Sequence, residues 1–183
     1  MQVIYDEAKF AEMVLLIAGR LRDDRAGGPT KLTAALYFAD FAHVRLHRRP
    51  ISGAEYVKVR NGASPRPMKS VRSQLIAGGA AAATTEQFLG YPQRRLVPRR
   101  DADLSVFEAS ELATMESVLA DLAPLNAKQV IDLLREERGW IVADEGDVIP
   151  YHMAFSVKEQ ISTPTSRRLA GEVAERFGIA VGQ

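Results

Sequence analysis

Apolar residues recur at helical spacing in the first third of the chain. One buried helix face is indicated by apolar residues at i, i+3, i+4, i+7 and i+11, which are Phe10, Met13, Val14, Ile17 and Leu21. The pattern predicts a first helix over residues 6–22, with the side chain of Asp6 as its N-cap. A second helix is predicted over residues 30–47, because Pro29 suits a first helical position and Pro50 cannot continue a helix.

The middle of the chain alternates short extended segments with turns. Residues 55–60 fit a short strand or helix, whereas residues 61–67 contain one glycine and two prolines and are predicted to form a loop. A short helix is predicted over residues 68–77. Residues 82–97 contain two extended segments on either side of the turn sequence at 90–93, and this arrangement predicts a β-hairpin.

The last third of the chain is predicted to be mainly helical. Ser105 and Glu108 have the spacing of a capping box, in which two side chains bond the free amides of a helix start. Asn126 and Gln129 repeat this spacing before a second apolar run. Gly139 is predicted to cap the C-terminal end of that second helix, because glycine tolerates the left-handed conformation found there.

These elements predict an α+β fold, a mainly α-helical single domain with a small antiparallel β-hairpin. We expect residues 1–160 to form the domain, and residues 161–183 to form a C-terminal helix that packs on it or extends it. The chain has no cysteine, which excludes disulfides and thiolate metal sites. It has no apolar run long enough for a membrane span and an acidic rather than basic start, so we expect a cytoplasmic protein without a membrane partner.

Charge is strongly polarised along the chain. Residues 45–100 contain twelve lysines and arginines against two acids, whereas residues 101–147 contain three against twelve. A separation of this size can steer a protein partner or a nucleic acid to the basic half. Equally, the two halves can neutralise each other within the fold, and the sequence leaves both interpretations open.

Catalytic chemistry has little support in the sequence. His43 and His47 have the i, i+4 spacing of helical metal ligands, but no glutamate lies between them and arginines flank them. The loop serines Ser52 and Ser64 have no recognisable histidine–aspartate relay, and no glycine-rich phosphate-binding motif is present. We therefore expect no enzyme activity, no metal and no cofactor.

A few residues are candidates for binding or for organising a binding surface. Tyr37 and Asp40 are three apart on one helix face, and an aspartate in an apolar helix needs a partner because an unpaired buried charge is costly. Asp40 therefore organises a basic loop or a bound partner, or else it forms a salt bridge or is exposed. Arg94 and Arg95 could contact phosphates or an acidic protein. Trp140 is either a core residue or an interface anchor.

The segment 31–67 resembles the Panacea domain. The resemblance is carried by Leu36-Tyr37-Phe38-Ala39-Asp40, then by Pro50-Ile51-Ser52-Gly53 and Tyr56, and later by Gly139-Trp140. It covers roughly residues 8–157. One departure is Gly62-Ala63-Ser64-Pro65, where the family often has adjacent glycine and proline.

The resemblance implies a role in binding another protein. Panacea domains are similar to bacterial, phage-associated antitoxins that neutralise small toxins by direct binding, and the SocA-type member delivers its toxin to the ClpXP protease. A cognate toxin and a ClpXP-type protease are therefore the implied partners. The alternative is a nucleic-acid-binding regulator that uses the basic surface between Arg66 and Arg100. The predicted partner-binding or organising residues are Tyr37, Asp40, Tyr56, Asn61, Arg94, Arg95 and Trp140.

Overall fold

Two long N-terminal helices form the centre of the fold. The computed structural model describes residues 3–88 and 90–156, so the predicted C-terminal helix lies outside the described residues. Helix α1 spans Glu7–Arg20 and helix α2 spans Pro29–His47, which confirms both predicted helices. The side chain of Asp6 accepts a hydrogen bond from the Lys9 amide and caps α1 as expected. Helix α2 is buried along most of its length, because helices and strands pack around it on several sides.

A small three-stranded antiparallel sheet follows the two helices. Strand β1 spans Tyr56–Val59, β2 spans Gly62–Pro65, and β5 spans Val148–Ile149, with β1 in the centre. The sequence predicts a loop over residues 61–67, and this prediction is wrong for β2. Its residues are poor strand formers, but pairing with β1 and packing against α2 fix them in an extended conformation. Pro65 is tolerated because β2 is an edge strand.

The predicted hairpin is present as a separate two-stranded sheet. Strand β3 spans Ala81–Phe88 and strand β4 spans Tyr91–Pro98, so the strands are longer than the sequence indicates and the turn is tighter. Gly90 has a φ of 82°, a left-handed conformation that suits glycine at the reversal. Strand β4 packs against α1, which places the hairpin beside the N-terminal helices. Residues 3–88 and 90–156 thus form two antiparallel sheets where the sequence predicts one hairpin.

Four further helices complete the described part of the chain. Their bounds are Met68–Ala77 for α3, Ala109–Leu122 for α4, Ala127–Arg135 for α5 and Arg138–Val142 for α6. Short 3₁₀ turns lie at Leu104–Val106 and Tyr151–Phe155. The molecule is therefore a mainly helical α+β single domain, as the sequence predicts. Among the described residues, no helix combines the length and the apolar character that a bilayer span requires.

Helix ends show where local patterns were sufficient and where they were not. The Asn126–Gln129 capping box is confirmed at the start of α5. The Ser105–Glu108 box is wrong, because Asp103 caps a preceding 3₁₀ turn and the box forms between Glu108 and Glu111. Gly139 is not a C-cap.

The position of Gly139 has a packing explanation instead. It lies inside α6 and is buried, and a Cβ atom at this position would lie 2.6 Å from a methyl carbon of Ile149. The absence of a side chain therefore lets α6 approach strand β5 closely. Because tertiary contact rather than helix termination requires the glycine, its neighbours in sequence do not reveal its role.

Candidate partner-binding groove

Asp40 is the centre of a buried hydrogen-bond network between α2 and the following turn. One carboxylate oxygen accepts hydrogen bonds from the backbone amides of Ile51 and Ser52 at 2.7 and 2.8 Å. The other accepts the hydroxyls of Ser52 and Tyr56 at 2.6 and 2.8 Å. Asp40 thus organises a loop, but through amides and hydroxyls rather than through a salt bridge with a basic residue. This network fixes the turn that leads into strand β1.

Tyr37 and Tyr56 lie in the aromatic core beside this network. The ring of Tyr37 stacks on Phe41 with 4.1 Å between ring centroids and meets the edge of Tyr56 at 5.5 Å. Both tyrosines and Asp40 are almost completely buried, so none of them is placed to contact a partner from the surface. The positions organise the fold around the turn, and their contribution to partner binding stays a prediction.

Burial also determines how Asp40 responds to pH. Desolvation raises the pKa of its carboxyl, and the hydrogen bonds from Ser52, Tyr56 and Ile51 lower it only in part. The folded chain therefore keeps this proton at pH values where the unfolded chain has released it. The resulting stabilisation is fully present below about pH 4 and is lost as the pH rises through the folded pKa.

This dependence can be measured with the Asp40→Asn variant, whose amide does not titrate. Urea unfolding of both proteins at a series of pH values gives the wild-type free energy of unfolding minus that of the variant. We expect this difference to fall with rising pH, because contributions from the other carboxyls are common to both proteins and cancel. A difference that is flat or that rises would contradict the raised pKa.

Trp140 joins helix α6 to strand β2 of the three-stranded sheet. Its indole Nε1 donates to the backbone carbonyl of Gly62 at 2.9 Å, and the ammonium of Lys58 lies 4.0 Å from the ring centroid. Trp140 is half-buried in this position. Asn61, at the adjoining turn between β1 and β2, is exposed. These two predicted residues are therefore brought together, which their separation in sequence does not indicate.

The other two predicted residues, Arg94 and Arg95, have opposite environments. Arg95 is 7% exposed and donates to the backbone carbonyls of Leu21 and Arg22 at 2.5 and 3.1 Å, and it also pairs with Glu86 at 3.0 Å. Arg94 is exposed and forms no ion pair with any described residue. Successive residues of a strand point to opposite faces, so only Arg94 lies on the outer surface.

An apolar groove opens beside Arg94. It has a volume of about 500 Å³ and lies between the two sheets, with the end of α1, the start of α2 and the start of α3 completing its walls. The loop between the first two helices also lines it, at Gly27 and Gly28. The large apolar residues that line the groove are Leu21, Leu32, Val57, Val59, Met68 and Leu96.

Four basic side chains surround this groove. Arg66 pairs with Glu55 at 2.8 Å, in an exposed position. Lys69, Arg72 and Arg94 also line the groove, and none of them forms an ion pair within residues 3–88 and 90–156. The groove is therefore apolar inside and carries uncompensated positive charge at its edge.

Part of the remaining basic charge is neutralised inside the fold. Arg45 pairs with Glu137, and Arg49 pairs with Glu108, so each pair joins the basic half of the chain to the acidic half. The interpretation that the halves neutralise each other is correct for these residues. It does not extend to Lys69, Arg72 and Arg94 of the groove, which form no ion pair with any of the residues described.

Comparison with known proteins identifies the family of this chain. The family model described as antitoxin SocA-like, Panacea domain, matches residues 32–141, which is more than half of the chain. The chain belongs to this family. No curated protein and no solved structure matches the chain.

The residues matched by the family model include most of the structural features described above. It includes the Asp40 network, Trp140 and the groove residues from Leu32 to Leu96. The contribution of α1 to the groove, from Ala18 and Leu21, lies outside the matched residues. The groove is therefore built mainly from the matched span, and the end of α1 with the loop that follows it supplies most of the rest of the lining.

The sequence does not reveal the apolar floor of this groove, although one signal for it exists. Arg94 and Leu96 are two apart on β4 and both line the groove, as the period of two in a strand requires. The same period assigns Arg95 to the other face. Applying it to the predicted hairpin separates the exposed arginine from the structural one, whereas adjacency in sequence groups them together.

This separation predicts different consequences for the two arginines of the Panacea domain. We expect Arg95→Ala to lower the free energy of unfolding by about 2–3 kcal/mol, because two buried carbonyls lose a charged donor. We expect Arg94→Ala to change it by less than about 0.5 kcal/mol, since the side chain is exposed and unpaired. Urea unfolding of the two variants provides the measurement. Equal effects would contradict the opposite orientations.

Proposed function

We propose that this Panacea domain is an antitoxin that neutralises a cognate toxin protein by direct binding. The observation that carries the proposal is the open apolar groove with three uncompensated cations, found in a chain that belongs to an antitoxin family. An apolar centre inside a polar edge is the usual composition of a protein–protein interface. The proposal needs no catalytic group in the domain.

The two features of the groove support different parts of the binding reaction. Positive charge at the edge accelerates encounter with an acidic partner, because complementary potentials steer diffusion. The apolar floor then supplies affinity, since most binding energy comes from a few anchors in desolvated pockets. Neutralisation follows when the bound antitoxin covers the toxin's active surface.

Co-expression tests this proposal. The product of any small reading frame adjacent to the gene is expressed from an inducible promoter, with and without the full-length chain. We expect the chain to restore growth and to co-purify with that product. Absence of both effects would count against the antitoxin function.

The same co-expression, carried out in cells with and without the ClpXP protease, distinguishes occlusion of the toxin from its degradation. If the domain acts by occlusion, as we propose, the half-life of the toxin is the same in cells with and without the ClpXP protease. A toxin that becomes stable only in cells without ClpXP would instead assign the domain the role of a proteolytic adaptor. Both results keep direct binding as the first step.

Nucleic-acid binding is the competing function, and the structure reduces the surface available for it. Arg66 and Arg100 pair with glutamates, and Arg95 is buried. Among the described residues that line the groove there is no aromatic side chain on which a base could stack. Fluorescence anisotropy with single-stranded and duplex DNA, between about 50 and about 200 mM salt, tests this function directly. Tight binding with a steep salt dependence would favour the regulator over the antitoxin.

A further inference from the structure

We infer that the groove recognises an acidic segment of the toxin in which carboxylates flank one or two apolar side chains. This inference rests on the proposed function and adds the chemistry of the partner to it. Two independent properties of the groove carry it, namely the apolar lining and the arrangement of the unpaired cations.

The lining of the groove requires an apolar anchor. Its walls carry aliphatic side chains from five elements of the fold, and the volume of about 500 Å³ lies within the range of sites that enclose small ligands or side chains. The charged residues of the lining are Arg66, Lys69, Arg72 and Arg94, of which Arg72 is half-buried and the others are exposed. A wholly charged segment would leave the floor without contact, whereas a leucine or methionine side chain would fill it and displace water.

The rim requires carboxylates beside that anchor. Lys69 and Arg72 are three apart on α3, so they lie on the same helix face, and Arg94 reaches the groove from strand β4. Cations on more than one wall of the groove suit acidic residues on both sides of an apolar residue. Two of the three are arginines, whose guanidinium groups bind carboxylates in a bidentate geometry.

Other occupants fit these properties less well. A basic segment would meet three cations of the same sign, and such juxtaposition costs several kcal/mol. A second copy of the chain would have to bring an acidic surface to the groove, and this possibility predicts self-association. A nucleic acid would satisfy the cations but not the aliphatic floor.

Overlapping synthetic peptides that span the product of the adjacent reading frame are the probes for this inference. Their binding to the full-length chain is measured by fluorescence anisotropy. We expect the bound peptides to contain both carboxylates and apolar residues. Binding of the same peptides is then measured for two pairs of variants.

The first pair compares Met68→Asp with Ser70→Asp. Both positions are in the first turn of α3, where a negative charge is favourable to the helix dipole, but only Met68 lines the groove. The second pair compares Arg72→Glu with Arg60→Glu. Both arginines form no ion pair with the described residues, and Arg60 lies outside the groove. We expect the groove variants to weaken binding at least about tenfold and the controls to change it by less than about twofold.

Several outcomes would overturn the inference. These are binding by neutral or basic peptides only, equal losses in groove and control variants, and failure of every peptide to bind when the intact toxin binds the wild-type chain. Dimerisation of the wild-type chain that Met68→Asp abolishes would assign the groove to a second copy instead. If thermal unfolding shows that a groove variant is destabilised, Lys69→Glu supplies the same comparison on the exposed rim. Restored growth on co-expression, together with any of these outcomes, would leave the antitoxin function standing and reject only the acidic-segment inference.

Discussion

Replacing Asp40 by alanine is expected to lower the free energy of unfolding by about 3–5 kcal/mol, the largest effect of any substitution considered. The carboxylate is fully buried and accepts four hydrogen bonds from three residues. Alanine removes the acceptor and leaves two backbone amides and two hydroxyls to find other partners inside the protein. Buried donors without acceptors cost the full free energy of their desolvation.

Two further variants separate hydrogen bonding from charge. Asp40→Asn keeps one carbonyl oxygen for the amides of Ile51 and Ser52, so its loss of stability is expected to be about 1–2 kcal/mol. Asp121→Ala removes an exposed carboxylate on α4 and is expected to change stability by less than about 0.5 kcal/mol. Urea unfolding at neutral pH measures all three variants. If alanine and asparagine at position 40 had equal effects, the role of the two amide contacts would be refuted.

The consequence for function follows from the position of the turn. The network of Asp40 holds Ile51 and Ser52, and strand β1 begins a few residues later and supplies Val57 and Val59 to the groove. A disordered turn would therefore displace one wall of the groove. If the domain neutralises a toxin as proposed, we expect Asp40→Ala to weaken neutralisation, although the side chain of Asp40 is too deeply buried to touch a partner.

Asp40 also shows what a local sequence pattern can predict about a buried residue and what it cannot. The rule that a buried aspartate needs a partner correctly marks the residue, because the cost of an unpaired charge depends only on burial. The identity of the partners depends on where the chain returns after Pro50, and the sequence suggests a basic loop, a bound partner or a salt bridge instead of amides and hydroxyls. Helices α1, α2 and α3 are predictable because their apolar spacing and caps are local.

The groove could not be predicted as a unit for a different reason. Its lining residues come from separate helices and strands, and strand β2 in particular has no intrinsic strand signal at Gly62–Pro65. Its pairing with β1 and its packing against α2 make it extended. The basic residues of the rim are evident as local charge, but whether a cation is paired depends on distant residues, as the pairing of Arg49 with Glu108 shows.

Lys31 is a second position where a substitution is expected to lower the free energy of unfolding strongly. The sequence patterns described above do not identify it. Its side chain is fully buried, and its ammonium donates to the carbonyls of Ala123 and Leu125 at 3.2 and 2.7 Å. It also pairs with Asp24 at 2.6 Å. One lysine thus fixes the end of α4, the start of α5 and the loop after α1 to the start of α2.

We expect Lys31→Met to lower the free energy of unfolding by about 2–4 kcal/mol. Methionine preserves most of the apolar packing of the lysine side chain. The loss therefore reports mainly the charged donor removed from two carbonyls and from one oxygen of Asp24, whose other oxygen keeps the Ala26 amide. Lys128→Met is the matched control, because Lys128 pairs with Asp132 on the exposed surface of α5 and such pairs contribute less than about 1 kcal/mol. Urea unfolding of both variants gives the comparison.

A double-mutant cycle with Asp24→Asn resolves the contribution of the ion pair. If Lys31 and Asp24 interact directly, the double variant is more stable than the sum of the single losses predicts, because the second substitution removes a charge already left unpaired. Additive losses would show that the carbonyls of Ala123 and Leu125 account for the whole effect. Because the loop held by Lys31 contains Gly27 and Gly28 of the groove, a direct pair would also make the shape of the groove depend on Asp24. If the groove binds a toxin as proposed, the Asp24→Asn variant is then expected to bind it more weakly than the wild-type chain does, although residue 24 is not among those that line the groove.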